Sequence, residues 1–233
     1  MLTKKTIMLF VFVPVLFSGG CQMANGNNQE ETVKPSEMNA EDFPENDTFQ
    51  DEYTRTFMKS IEEVDSGYYE FRSGTNLYEM WLPVHSTLDE RLYSLEAQEN
   101  FEQFLGNIEN DNESFSQLQV TFDHHNTIDS VERNLEFLKS SIDKELEFEE
   151  VSSDNKAIFI APLEYLEEEG YGETMGYAAL VQNEEGNGSL ELVYTTFCSE
   201  EKKINCKAIV DAEKEKVIKI TSSVSFKRSD ENI

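Results

Sequence analysis

Between Leu118 and Ile142 the apolar residues change period, and this change constrains the fold more than any other feature of the chain. Leu118, Val120 and Phe122 alternate with polar residues, the spacing of a half-buried strand. Ile128, Val131, Leu135, Leu138 and Ile142 then recur at three and four residues, the stripe of an amphipathic helix. Thr127 or Asp129 can cap its start, with Glu132 three residues after Asp129. A chain that passes from one period to the other must bury a sheet face against a helix stripe.

The flanks extend the same pattern. Tyr68–Phe71 and Leu77–Val84 are aromatic-rich runs parted by Ser73–Asn76, which predicts a β-hairpin; Pro83 ends its second strand or places it at an edge. Phe101–Ile108 fits strand or helix. Ala157–Ala161 is continuously apolar and is expected as a central strand. Tyr177–Val181 and Leu190–Phe197 flank Glu184–Gly188, a second hairpin. At the C-terminus Ile218, Ile220, Val224 and Phe226 fit a strand. Val210, Val217, Ile220, Thr221 and Val224 fit one helix face amid good helix formers, and a helix over Cys206–Ser223 is preferred. The expected class is α+β, helices packed on an antiparallel sheet, in a single domain over 67–226 with a short tail at 227–233. Tyr53, Phe57, Ile61 and Val64 have helical spacing, so residues 51–66 are expected as a helix docked on the domain edge.

The N-terminus has a different character. Lys4 and Lys5 precede an apolar run from Ile7 to Phe17, then Ser18, Gly19, Gly20 and Cys21. The run is shorter than the roughly 20 residues needed to span a bilayer and matches the core of a secretory signal. Small residues before a cysteine resemble a bacterial lipoprotein signal over residues 1–20. Cleavage would fall between Gly20 and Cys21, and Cys21 would carry the lipid. Ser18 stands where such signals usually carry Leu; a simple secretory signal is the alternative. The expected location is the outer face of a bacterial cell membrane. A diacylglyceryl group brings two acyl chains, such as palmitate, and two chains anchor stably where one binds marginally. Residues 21–50, rich in Asn, Gln, Glu, Ser and Pro, are expected as the lipidated cysteine and a disordered acidic linker.

Composition excludes one class of partner. Without Lys4 and Lys5 the chain keeps 17 of its 19 basic residues against 47 acids, a net charge of −30. Such a surface repels nucleic acid. With Cys21 lipidated, Cys198 and Cys206 remain as an even pair in an oxidising compartment. A bridge would enclose Ser199–Asn205 and add about 2–3 kcal/mol. Reduced thiols or a metal site are the alternatives, the latter disfavoured by spacing and by the lack of a nearby His.

Phe49–Arg55, Asp65–Phe71, Met80–Pro83 and the ending from Thr196 through Cys198 and Cys206 to Phe226 resemble the YvcA-like lipoproteins of bacilli. That resemblance implies a Gram-positive bacterium as the source and supplies no assigned catalytic residues to carry over. The order of elements is also similar to the Mog1/PsbP-type α/β/α sandwich, a likeness of architecture alone.

No catalytic constellation, metal set or cofactor motif emerges. His85 lies beside Ser86 without a G-x-S-x-G turn. His124 and His125 are adjacent and would face opposite sides of a strand. With 47 acids, paired carboxylates carry no information. The glycine-dense segment Gly170–Gly176 lacks a P-loop Lys and suggests a binding-rim loop through Tyr171 and Met175; Trp81 is either core or part of a ligand face. The expectation is a non-enzymatic binding or assembly module in the envelope or in colony and biofilm organisation. Its partner would be an unknown envelope protein or a small ligand. A small-ligand or cation carrier is the alternative, and a hydrolase the third reading.

Overall fold

The computed structural model describes residues 35, 38–96, 99–110, 114–142, 145–151, 155–168, 172–198 and 206–227. After a 3-10 turn at Ala40–Asp42 come two single helical turns, α1 (Asp47–Gln50) and α2 (Glu52–Arg55). Asn46 and Asp51 cap them, their side chains accepting the N–H groups of Phe49 and Thr54. Two expectations change here. Residues 38–50, read as linker, belong to the folded body: Thr48 and Phe49 are fully buried, and the Phe49 ring stands edge-on to Tyr69 at 4.8 Å. The polar average of the segment hides the apolar anchor Phe49. The helix expected over 51–66 stops at Arg55. Beyond it the Phe57 carbonyl accepts the Arg72 N–H, and the Lys59 N–H donates to the Glu70 carbonyl. The backbone thus pairs with a neighbouring strand rather than with itself.

That strand is β1 (Tyr68–Arg72), which pairs antiparallel with β2 (Tyr78–Pro83) as the predicted hairpin. A large sheet follows from β3 (Ser86–Leu88), β4 (Ser94–Leu95), β5 (Phe101–Glu109) and β6 (Phe115–Asp123). After the helix α3 (Val131–Ile142) it continues with β7 (Glu149–Val151), β8 (Lys156–Glu168), β9 (Gly172–Asn183) and β10 (Ser189–Cys198). The chain then forms α4 (Cys206–Ser223), the preferred C-terminal reading, and β11 (Ser225–Phe226). Among the described residues the large sheet has the order β3-β5-β6-β10-β9-β8-β7, with β4 on β5, and β1-β2-β11 form a separate small sheet. The segment 101–108, ambiguous by period, is a strand because β6 pairs along its whole length. β8 lies one strand in from the short edge strand β7 rather than at the centre.

Alternation along the strands assigns the two faces of the large sheet. Ile158, Ile160, Ala179, Val181, Leu192 and Tyr194 point to the side covered by α4 and the small sheet. Ala161, Leu163, Ala178 and Val193 point to the side covered by α3 through Leu138 and Ile142. Ile128, placed on the helical stripe by its spacing, sits in the preceding 3-10 turn and is exposed, as is Phe137. Thr127, not Asp129, caps that turn, with Ser130 as its reciprocal partner. On α4, Val217, Ile220 and Val224 are buried, each worth about 1.5–3 kcal/mol by area. Lys156 closes the helix from β8: its ammonium donates to the Ser222 carbonyl at 2.6 Å and to that of Val224. The result is an α+β fold with helices on both faces of an antiparallel sheet.

Candidate functional site

A groove of about 320 Å³ opens where the hairpin, the end of β5 and α4 meet. Tyr68, Pro83, Val84 and Ile108 form an apolar wall, and Asn110, Glu213 and Lys216 bring polar groups to its other side. The α4 register places Glu213 and Lys216 there, one turn before Val217 and Ile220 lock the helix onto the sheet.

The polar groups form one connected network. The Lys216 ammonium donates to Asn110 Oδ1 at 2.7 Å, Glu213 Oε1 at 3.1 Å and the Tyr194 hydroxyl at 3.2 Å. Glu213 Oε2 accepts the Thr196 hydroxyl at 2.9 Å, and Thr196 shares a further bond with Ser116 at 2.8 Å. Asn110 Nδ2 donates to Ser116 Oγ at 2.8 Å and Ser114 Oγ at 2.9 Å. Glu213 is only 3% exposed, and Ser116, Tyr194 and Thr196 are wholly buried. A charge this deep is tolerated only when paired and hydrogen-bonded, as Glu213 is. Burial first, then the Glu213 charge, push the Tyr194 hydroxyl far above its ordinary range, so it stays protonated. Tyr68 is pushed up to about 12 by burial and by the charges of Glu213 and Asp65. The Lys219 ammonium lies 4.4 Å above the Tyr68 ring and pairs with Asp65 at 3.0 Å.

The sequence-predicted site residues do not converge here. Gly20, Cys21 and Tyr171 lie outside the described residues. Met175 is 4% exposed in the main core, because its place on β9 turns it under α4; it is not a rim contact. Trp81 is half-buried on β2, its ring 6.2 Å from that of Tyr68 and its backbone N–H donating to Ser223 Oγ, so it adjoins the groove wall. Cys198 is buried at the end of β10, and Cys206 opens α4. His85 bonds Asp47 at 2.9 Å while Ser86 Oγ donates to the Pro83 carbonyl, so the two do not form a dyad. His124 and His125 occupy the turn after β6 rather than a strand. Burial, then His125, lowers the His124 pKa. Among the described residues no group of His, Cys, Asp and Glu could hold a metal ion, and no helix is long and apolar enough to cross a membrane.

The residues of the network carried a signal that periodicity exposes. Ser116 shares the inward register of Leu118, Val120 and Phe122. Thr196 shares that of Leu190, Leu192 and Tyr194, and Glu213 falls on the apolar stripe of α4. A polar residue at an inward position marks a buried polar contact, although its partner is invisible in one strand's pattern.

Comparison with known proteins adds kinship. A family model described as "Putative lipoprotein YvcA" matches residues 44–225. A protein of Bacillus subtilis (strain 168) with the same description is 25% identical over 234 residues, covering 96% of this chain and 97% of that relative. No solved structure matches significantly.

Proposed function

The chain belongs to the YvcA lipoprotein family, and from that premise we propose that it is a lipid-anchored, extracytoplasmic recognition module. Cys21 carries the diacylglyceryl group, with cleavage after Gly20. The charged start, the apolar run and the small residues before Cys21 support the anchor, as does the description of the relative. The groove between Tyr68 and Lys216 is the binding surface. One observation carries the choice of recognition over chemistry. The three N–H bonds of Lys216 are spent on Asn110, Glu213 and Tyr194, and the Tyr194 hydroxyl is held protonated. A network saturated in this way gives the groove a rigid polar edge and leaves no activated nucleophile or base.

Cys198 and Cys206 form a disulfide in this reading, stapling the end of β10 to the start of α4. The seven-residue loop between them would contribute about 2–3 kcal/mol. A second reading, carriage of a small ligand, is favoured by the groove volume of about 320 Å³, at the lower end of small-molecule sites.

Two measurements test these statements. Metabolic labelling with a radioactive fatty acid should mark the wild-type chain in the membrane fraction. Cys21→Ala should lose both the label and membrane retention; retention without label would sink the anchor. Native mass spectrometry and crosslinking on intact cells should then capture a small-molecule adduct or a protein partner, and Tyr68→Ala should lose it. Capture that is indifferent to Tyr68→Ala would remove the groove from the account.

A further inference from the structure

At the turn end of the hairpin a second recess, about 300 Å³, is lined by Lys59, Arg72, Ser73, Gly74 and Asn76 among others. Its floor is rigid. The Gly74 N–H donates to Glu102 Oε1 at 2.8 Å, and the Tyr93 hydroxyl donates to the same oxygen at 2.8 Å. A Cβ at position 74 would stand 2.0 Å from the Tyr93 hydroxyl, so only glycine fits. Asn76 completes the turn with φ of 58°, a left-handed conformation that asparagine tolerates.

The recess gathers positive charge in an otherwise acidic chain. Lys59, Arg72 and Lys227 all reach the Glu79 carboxylate, at 2.9, 3.3 and 2.7 Å, and Lys59 also meets Glu70 at 3.0 Å. Lys59, Arg72 and Lys227 thus cluster around two carboxylates in a chain whose net charge is −28. Arg72 spends its Nε–H on Glu79; its terminal nitrogens make no hydrogen bond to a protein acceptor among the described residues, and its side chain is 43% exposed. A guanidinium with a free outer edge, at the wall of a rigid recess, is the usual receptor for a planar or tetrahedral oxyanion. At 0.15 M salt the Debye length is about 8 Å, so the acidic surface is screened beyond that range while contact pairs are retained.

We propose that this recess binds a small oxyanion, the phosphate or carboxylate group of a ligand, through the terminal nitrogens of Arg72 with Lys59 and Asn76 as flanking donors. The site is independent of the groove at Lys216.

The test uses the full-length ¹⁵N-labelled chain in non-ionic detergent, titrated at constant ionic strength with inorganic phosphate, acetate or a short polyphosphate. Saturating shifts confined to the Arg72 Nε–H, the Asn76 side-chain amide and residues 56–59 support the proposal. Saturation by inorganic phosphate or acetate identifies a free anion, and saturation by polyphosphate alone identifies a polymeric one. Arg72→Gln should weaken binding at least about tenfold, and Arg72→Lys, which keeps charge without the fork, should fall between. Lys214→Met, which removes only a surface pair with Glu149, should leave it unchanged. Equal shifts with sodium chloride alone, or wild-type phosphate binding by a folded Arg72→Gln, would overturn it.

Discussion

Glu79 and Glu102 are both nearly shielded from water, 7% and 0% exposed, and both touch the β1–β2 hairpin, yet their surroundings drive them in opposite directions. Burial alone would raise Glu79, but the ammonium groups of Lys227 and Lys59 bonded to it outweigh that effect, and its pKa falls below the ordinary value of 4.5. Glu102 has no cation partner among the described residues. Burial raises its pKa above 4.5 despite the N–H groups of Gly74 and Thr75 and the hydroxyls of Tyr93 and Tyr78 around it. Tyr78 influences that carboxyl electrostatically, but neither its hydroxyl nor Glu102 Oε2 has a hydrogen-bond partner of good geometry. A carboxylate on the open face of the small sheet can recruit lysines whose ammonium groups stay near water. One beneath the hairpin can recruit only neutral donors.

The sharpest way to break this comparison is to truncate Glu102. Glu102→Ala should cost about 3 kcal/mol, because it leaves the Gly74 N–H and the Tyr93 hydroxyl unpaired in a cavity. Glu102→Gln keeps the acceptor and offers an amide N–H to Tyr78, so it should change stability by less than about 1 kcal/mol. Urea midpoints at unchanged slope measure both, and equal losses would show that the charge, not the acceptor, holds the turn. Glu79→Gln should cost about 1–2 kcal/mol at neutral pH, since it leaves Arg72 and Lys227 without their carboxylate and Lys59 with Glu70 alone.

The pH profile sharpens the contrast. The raised pKa of Glu102 means the folded state holds its proton more tightly, so this contribution is greatest below 4.5 and falls as pH rises through the native value. Glu79 is lowered, so its contribution is complete above 4.5 and is lost as pH falls through the native value. Glu191, raised to about 7 by burial and by Asp123, has the same sign as Glu102. The double variant Glu102→Gln/Glu191→Gln should therefore flatten the decline between pH 4.5 and about 7, and Glu79→Gln should flatten only the acid limb. The smallest effect should come from Lys59→Met, about 0.5 kcal/mol by thermal melting, because its ammonium remains partly solvated and Glu79 keeps Arg72 and Lys227.

Legibility followed the range of the interactions. The hairpins at Ser73–Asn76 and Glu184–Gly188, the helix after Thr127 and the span Cys206–Ser223 were readable because backbone geometry imposes their periods within a few residues. The Phe57–Lys59 segment misled, since its spacing suits a helix while its backbone groups pair with β1. Phe49 misled in the other direction, as one apolar anchor within a polar stretch.

From the sequence alone came the α+β class, the resemblance to YvcA-like lipoproteins and the strand and helix periods; Ser116, Thr196 and Glu213 fall at inward positions of those periods without having been singled out by them. Tertiary structure alone decided what those positions meet. Lys216 and Asn110 bond across 106 positions of chain, and Thr196 and Ser116 across 80. Period is a property of a single segment. Convergence depends on sheet order and helix docking, which no segment encodes by itself.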